Sequence, residues 1–249
     1  MLDTLVVIPC FNEASRLDPK ALQDAAQDDP RLGFVMVDDG SKDETLVVLR
    51  ELASAAPERF DVLALEHNVG KAEAVRQGIL AAAARKPSYV GYWDADLATP
   101  CAEIATMRGR LEEDDRRWAV MGSRIRRLGS QIERRPARHY AGRVFSTFAA
   151  LVLSLRVYDT QCGAKIFRAN PAVLRSFEAP FDSRWIFDIE LIARLIQQMR
   201  AQDLRPEDAL YEEPLSRWTD VAGSKLSSRD AVRALAELLS IARRYRPGR

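Results

Sequence analysis

Two aspartates, Asp94 and Asp96, stand two positions apart in the segment GYWDADLATP, residues 91–100. The apolar residues before them are typical of a buried strand, so both carboxylates fall where that strand ends. Like charges placed together repel and raise each other's pKa, so the pair needs a partner. A hard divalent cation, Mg²⁺ or Mn²⁺, is the natural partner. By itself an Asp-x-Asp tripeptide is more often a simple turn, because aspartate favours tight bends.

Acids also follow the first two predicted strands, in PCFNE and DDGSKDET. The carboxyl ends of parallel strands meet at one edge of a sheet, where ligands bind. A metal held by only two carboxylates keeps positions open for a diphosphate, and the other acids suit hydrogen bonds to a ribose or base. The metal interpretation is therefore favoured over the turn. The acids at this rim are Glu13, Asp38, Asp39, Asp94 and Asp96.

Short apolar strands alternate with helix-length amphipathic segments along the chain. We predict strands at 4–9, 33–39, 61–66, 89–95, 118–124, 164–168 and 209–215, and helices at 14–28, 43–56, 71–85 and 100–115. Ser41 and Glu44 have the spacing of a capping box for the second helix. Continuous apolar runs are typical of parallel strands covered on both faces. The order predicts an α/β fold with a mostly parallel sheet flanked by helices.

The composition is that of an ordinary soluble globular protein. The 249 residues are 47% hydrophobic and 29% charged, with a net charge of +1. The odd number of cysteines, three, suits a reducing cytosol. We expect no signal peptide, because the first residues lead directly into an apolar strand. The apolar run FSTFAALVLSL is too short to span a bilayer, so we expect a cytoplasmic protein with at most peripheral membrane contact.

An arginine-rich segment, residues 124–143, carries seven arginines and only one acid, Glu133. The planar guanidinium group matches the oxygens of phosphate. A solvated basic face and an RNA-binding patch are the alternatives. The segment lacks a separate RNA-binding module, and its aromatic residues do not form a stacking platform. We interpret it as a contact for phosphate and anionic membrane, and we expect no nucleic-acid partner.

The segments VVIPCFNE, VDDGSKDET, HNVGKAEAVRQGI and DADLATP, in this order, resemble family 2 glycosyltransferases of the GT-A fold. The later segments DTQCGAKIFR, WIFDIELIARL and EEPLSRWTDVAGSKL are similar to polyprenyl-phosphate sugar synthases, closest to the dolichyl-phosphate β-glucosyltransferase branch. The resemblance covers nearly the whole chain. It implies a metal-dependent, inverting transfer of a hexose, glucose favoured, from a nucleotide diphosphate sugar to a polyprenyl phosphate.

The resemblance also implies a role for individual residues. Asp94 and Asp96 meet the metal and the donor diphosphate, and Lys225 closes over the donor. The implied donor-binding residues are Pro9, Phe11, Glu13, Val37, Asp39, Lys71, Asp94, Ala95 and Lys225. The predicted acceptor phosphate ligands are Arg124, Arg138 and Arg143, and the predicted catalytic residues are Asp94, Asp96, Arg124 and Asp188.

Two positions depart from the mannosyl branch of the resemblance. Many mannose-phosphate synthases have a glutamine where this chain has Ala98, and a serine where it has Gly142. Both departures favour the glucosyl branch, so UDP-glucose is the expected donor and GDP-mannose the second choice.

We expect a single domain, 1–249, with a nucleotide-sugar half (1–123), an acceptor-side half (124–226) and a basic amphipathic helix (227–249).

The acceptor decides whether a catalytic base is needed. A lipid monophosphate is already ionised at neutral pH and needs cations rather than a base. A hydroxyl acceptor would need a base, for which Asp159, Asp188 and Glu190 are the candidates. Asp188 has an alternative role, because an acid at a helix start complements the helix dipole. A non-catalytic nucleotide-sugar-binding subunit is a further alternative. The intact residues that disfavour it are Asp94, Asp96, Arg124 and Lys225.

Overall fold

The computed structural model of the chain describes residues 2–133, 136–184, 186–219 and 228–245, without the side chains of 136–141, 144 and 228–232. A seven-stranded sheet forms its centre, in the order β3-β2-β1-β4-β7-β5-β8. The strands are β1 (Thr4–Cys10), β2 (Leu32–Asp38), β3 (Phe60–Ala64), β4 (Tyr89–Trp93), β5 (Ala119–Ser123), β6 (Gln131–Glu133), β7 (Ala164–Arg168), β8 (Leu210–Pro214) and β9 (Arg217–Thr219). Strands β6 and β9 form a separate parallel pair.

Strand β7 runs antiparallel to both of its neighbours, β4 and β5, while the other pairs of the seven-stranded sheet are parallel. The prediction of a mostly parallel sheet is therefore confirmed. The direction of β7 was not predicted. This strand belongs to the acceptor-side half of the sequence, yet it inserts between two strands of the nucleotide-sugar half. The two halves consequently share one sheet.

Helices cover both faces of this sheet. They are α1 (Pro19–Asp28), α2 (Thr45–Ala55), α3 (Lys71–Ala84), α4 (Glu103–Glu112), α5 (Pro136–Leu153), α6 (Pro171–Arg175), α7 (Phe187–Arg200), α8 (Pro206–Ala209) and α9 (Ser228–Arg244). Val6 and Ile8 of β1 pack with α1, α2 and α4, whereas Leu5 and Val7 pack on the opposite face with α3, α6 and α7. Alternate residues of a strand point to opposite faces, so a doubly covered strand must be apolar throughout.

Helices α5 and α9 pack on α7 through a third apolar cluster. Both leave large apolar side chains exposed: Phe148 and Leu151 on α5, and Leu235 and Leu239 on α9. None of the helices in the described ranges is long and apolar enough to cross a membrane.

The start of α2 differs from the sequence prediction. The capping box of Ser41 and Glu44 is wrong, because Glu44 precedes the helix and makes no side-chain cap. Instead the Asp43 carboxylate accepts a hydrogen bond from the Thr45 backbone N–H at 3.0 Å. Ser41 Oγ accepts from the Asn12 backbone N–H at 3.0 Å. The serine therefore joins the loop after β1 to the loop after β2.

Helix α3 lies unusually close to the sheet at Gly78. A Cβ atom at this position would lie 2.4 Å from a methyl group of Val7 and 2.8 Å from one of Val37. Because interiors are close-packed, any larger residue would force the helix away from β1 and β2. Because α3 begins with Lys71, this close approach also determines where Lys71 lies at the carboxyl edge of the sheet.

We predict that Gly78→Ala lowers the free energy of unfolding by about 1–3 kcal/mol, because the added methyl group overpacks the core. The matched control is Gly109→Ala in α4, where a Cβ would meet no atom within 4 Å. This control should gain about 0.5–1 kcal/mol, since alanine is the better helix residue. Urea unfolding of both variants measures the difference. Stabilisation by both substitutions would show that α3 is not held tightly against the sheet.

Candidate functional site

The predicted acidic pair lies at the carboxyl end of β4, close to the start of β7. The Asp94 backbone N–H donates to the Gly163 carbonyl at 2.9 Å. A Cβ atom at Gly163 would lie only 1.9 Å from Asp94 Oδ2. Asp94 therefore reaches its position because residue 163 is a glycine.

Asp94 and Asp96 interact electrostatically. Burial raises the pKa of Asp96, and the neighbouring charge of Asp94 raises this pKa further, against the lowering effect of the Ala98 backbone N–H at 3.1 Å from Asp96 Oδ1. A divalent cation would remove this repulsion, so the two carboxylates fit a metal. In the described part of the chain no group of three or more His, Cys, Asp or Glu side chains could hold one. A metal on this pair would thus keep positions for the donor.

Lys71 is the cation next to this pair. Its Nζ lies 2.5 Å from Asp94 Oδ1 and 5.9 Å from the centre of the Phe187 ring. Burial lowers the pKa of Lys71, but the carboxylates of Asp94 and Asp188 raise it more, so the net pKa is above its ordinary value. Lys71 is therefore an ammonium group at the rim, as its predicted role toward a donor diphosphate requires.

The two acids at the end of β2 have different surroundings. Asp39 accepts from the backbone N–H groups of Val69 and Gly70 at 2.7 and 2.9 Å, which fixes the loop before α3. Burial raises the pKa of Asp39, although these hydrogen bonds lower it. Asp38 Oδ1, in contrast, is buried and has no hydrogen-bond partner within the described residues. Because Asp38 Oδ1 has no accessible surface, it does not replace Asp39, whose role toward the donor stays a prediction.

The other predicted donor residues lie at strand ends and differ in exposure. Phe11 is 41% exposed at the end of β1, and Ala95 is buried. Glu13 accepts from Arg16 Nε at 2.8 Å. Val37 is fully buried against α3, so its side chain cannot reach a ligand and only its main chain could. Pro9, in β1, is partly buried, and Lys225 lies outside the described residues.

Arg124, at the end of β5, is held by Asp159. The guanidinium Nε and Nη2 donate to the two carboxylate oxygens at 2.6 and 2.8 Å. The ring of Trp218 lies 5.4 Å from the guanidinium carbon. Burial lowers the pKa of Arg124, but Asp159 raises it more strongly, with smaller contributions that include Asp94. Arg124 is thus oriented by one acid and lies within electrostatic reach of the predicted metal pair.

Arg143, on α5, reaches the residue next to Asp159. Its guanidinium lies 3.7 Å from the centre of the Tyr158 ring and donates to the Tyr158 carbonyl at 3.3 Å. The backbone N–H groups of Tyr158 and Asp159 both donate to Glu212, at 2.7 and 2.8 Å. The structure therefore brings Arg124 and Arg143 together on one dipeptide. The side chain of the third predicted phosphate ligand, Arg138, lies outside the described ones.

Asp188 and Glu190, the candidate bases on α7, are both buried. Asp188 Oδ1 accepts from Lys165 Nζ at 2.5 Å and from the Tyr92 hydroxyl. Glu190 accepts from Arg194 at 2.7 Å and from the Tyr245 hydroxyl at 2.9 Å, which joins α7 to the end of α9. Lys165 was not among the predicted site residues. The signal was present, since AKIFR places a lysine between the apolar residues of a strand.

Solved structures of glycosyltransferases share this fold. Glucosyl-3-phosphoglycerate synthase from Mycobacterium tuberculosis, in complex with UDP, superimposes with a TM-score of 0.67 at 18% identity, over 97% of this chain and 80% of that one. A mannosyltransferase from Pyrobaculum calidifontis, in complex with GDP-mannose and Mn²⁺, gives 0.62 at 18% identity, over 99% of this chain and 65% of that one. The predicted GT-A fold is confirmed.

Dolichyl-phosphate β-glucosyltransferases are similar in sequence to this chain over most of their own length. The human dolichyl-phosphate β-glucosyltransferase is 31% identical over 89% of this chain and 68% of its own. The enzyme of the same name from Dictyostelium discoideum is 29% identical over 96% of this chain and 74% of its own. The sequence profile described as glycosyl transferase family 2 matches residues 5–173, well over half of the chain. These similarities confirm the resemblance that the motifs indicated, and the chain belongs to glycosyl transferase family 2.

Proposed function

We propose that this glycosyltransferase moves a hexose, with glucose favoured, from a nucleotide diphosphate sugar to a polyprenyl phosphate, with inversion at the anomeric carbon. The observation that carries the proposal is the meeting of two opposite charge groups at one edge of the sheet. Asp94 and Asp96 suit a metal and a diphosphate, and Arg124 and Arg143 suit a second phosphate. Arg124 is close enough to Asp94 for its pKa to respond to that carboxylate.

Asp94 and Asp96 would hold the divalent metal, Mg²⁺ or Mn²⁺. When bound, the metal would stabilise the negative charge that develops on the departing nucleoside diphosphate. Lys71 adds a second positive charge beside the same diphosphate. The Pyrobaculum mannosyltransferase, which shares the fold, was solved in complex with GDP-mannose and Mn²⁺, and this supports a metal at such a site.

The partners of the candidate bases support a phosphate acceptor. Each of these carboxylates already accepts a hydrogen bond from a cationic side chain: Asp159 from Arg124, Asp188 from Lys165 and Glu190 from Arg194. A carboxylate committed to a cation is a poor proton acceptor, whereas an ionised phosphate needs no base. The arginines on Tyr158 and Asp159 then serve to hold the acceptor. The dolichyl-phosphate acceptor named for the relatives agrees with this.

The donor we favour is UDP-glucose. Ala98 and Gly142 depart from the mannosyl pattern, and the relatives are named as glucosyltransferases. GDP-mannose is the second candidate.

A lipid acceptor also requires a membrane surface, and the exposed apolar residues of α5 and α9 would meet the bilayer from the cytoplasmic side. Arg243, at the end of α9, suits anionic head groups, whereas Arg244 pairs with Asp182.

The reaction is tested by the release of nucleotide in the presence of Mg²⁺ or Mn²⁺. UDP-glucose, UDP-GlcNAc and GDP-mannose are compared, each with and without a short polyprenyl phosphate. We expect release from UDP-glucose that depends on the lipid phosphate and is lost in Asp96→Asn. Donor binding without lipid-dependent release would rule out this acceptor and direct the search to hydroxyl acceptors.

Removal of the Asp96 charge from the Asp94–Asp96 pair should have opposite effects on the stability of the metal-free protein and on metal binding. Burial and Asp94 raise the pKa of Asp96 in the folded protein, so an ionised Asp96 lowers the free energy of unfolding. This destabilisation is complete above the raised pKa and disappears as the pH falls and Asp96 becomes protonated. We expect metal-free Asp96→Asn to melt at the same temperature as the wild type or higher at pH 7. The variant should lose the stabilisation that Mn²⁺ gives the wild type. Thermal scans with and without Mn²⁺ test this, and a normal Mn²⁺ response would exclude Asp96 as a ligand.

Gly163→Ala should displace Asp94, because the new Cβ would overlap its carboxylate. A misplacement of about 1 Å at a reacting centre can cost about 100-fold in rate. We therefore expect a loss of at least about tenfold in rate and a higher Mn²⁺ requirement. Gly109→Ala is again the control. An unchanged Mn²⁺ titration for Gly163→Ala would show that Asp94 does not depend on this contact.

A further inference from the structure

Lys165 is a fully buried lysine in the middle of the sheet. It lies on β7 with no exposed surface, opposite Tyr92 of β4. Its Nζ donates to the carbonyl of Cys162 at 2.6 Å and to Asp188 Oδ1 at 2.5 Å, and lies 5.3 Å from the centre of the Tyr92 ring. A buried charge is strongly destabilising unless it is paired, so this lysine needs its partner.

Asp188 is that partner, and its carboxylate joins three elements of the fold. It lies on α7, is 5% exposed, and accepts through one oxygen, Oδ1, from both Lys165 of β7 and the Tyr92 hydroxyl of β4. The two opposite charges compensate each other inside the protein. Loss of either partner would leave the other charge buried without compensation.

This pair lies next to the predicted metal site, two residues further into the sheet along β4 and β7. Tyr92 and Lys165 are directly opposite each other in the antiparallel ladder, and Asp94 and Gly163 follow as the next pair on the same face. The carbonyl that Lys165 binds belongs to Cys162, in the peptide that ends at Gly163. Gly163 is in turn the residue against which the Asp94 carboxylate rests.

Lys71 extends this arrangement to the surface. It pairs with Asp94 and interacts electrostatically with Asp188, and its ammonium lies near the ring of Phe187, the neighbour of Asp188 on α7. Going outward, the charges alternate: Lys165, Asp188, Lys71 and Asp94. Asp188 is therefore held between two positive groups.

We propose that Asp188 and Lys165 form a buried ion pair without net charge that positions Asp94 for the metal. The pair does so by fixing the Cys162–Gly163 peptide, against which the Asp94 carboxylate lies. Asp188 is then a positioning residue and not a base. This inference rests on the proposed metal and donor site.

The affinity for UDP in the presence of Mn²⁺, measured by calorimetry, tests the inference without any chemistry. We expect Asp188→Asn to lower this affinity by about 10-fold to 100-fold, the usual effect of removing a partner that supports a metal ligand. The matched control is Arg108→Gln, which breaks another buried ion pair, with Asp29 at 2.7 Å, near the amino end of β1. The control should lower the melting temperature without changing the affinity.

If Asp188 were the base, Asp188→Asn would bind Mn²⁺ and UDP like the wild type and lose only turnover. That result would overturn the inference while the proposed function stands. Failure of the wild type to bind Mn²⁺ and UDP would instead overturn the proposed site, and the inference with it.

A second variant covers the case in which Asp188→Asn fails to fold. Lys165→Met combined with Asp188→Asn leaves no buried charge and keeps an oxygen for the Tyr92 hydroxyl, so it should fold. Its affinity should stay about tenfold or more below that of the wild type, because the Cys162 carbonyl has lost its donor. Wild-type affinity in this variant would overturn the inference.

Discussion

The antiparallel pairing of β7 with β4 is the constraint on which the site depends. A parallel β7 would place its last residue, Arg168, at the carboxyl edge of the sheet. Because β7 runs the other way, its first residues lie there instead, and Gly163 meets Asp94. The same reversal brings the segment with Asp159 to the edge, where Arg124 follows β5. One reversed strand therefore joins the proposed donor side of the site to the proposed acceptor side.

Charge compensation shapes the rest of this edge. Asp94 pairs with Lys71, Asp159 with Arg124, and Asp188 with Lys165, so the acids can lie close together without destabilising the fold. Asp38 and Asp96 stand apart from these pairs. Asp38 has a buried oxygen without a partner among the described residues, and the pKa of Asp96 is raised by burial and by Asp94. In the proposed site, Asp96 would bind the metal together with Asp94, beside Lys71.

Several features were readable from the sequence because they depend on neighbours along the chain. Continuous apolar runs located the strands of the seven-stranded sheet, and the acids after these runs indicated the candidate site. Errors arose where a side chain had a choice of distant partners. Ser41 binds the loop after β1 rather than capping α2. The Val37 side chain packs against α3, which leaves only its main chain for a ligand. The pairing of Asp188 with Lys165 could not be predicted either, because Lys165 lies on another element.

The sequence by itself determined the α/β class, the edge at which we propose that ligands bind and the acids that line this edge, because apolar runs and strand ends are local patterns. Only the tertiary structure decided the direction of β7 and the partner of each charge. These depend on contacts between residues far apart in the chain, such as Arg124 with Asp159 and Lys165 with Asp188. A carboxylate's chemistry depends on which cation it meets, and that meeting is a property of the fold.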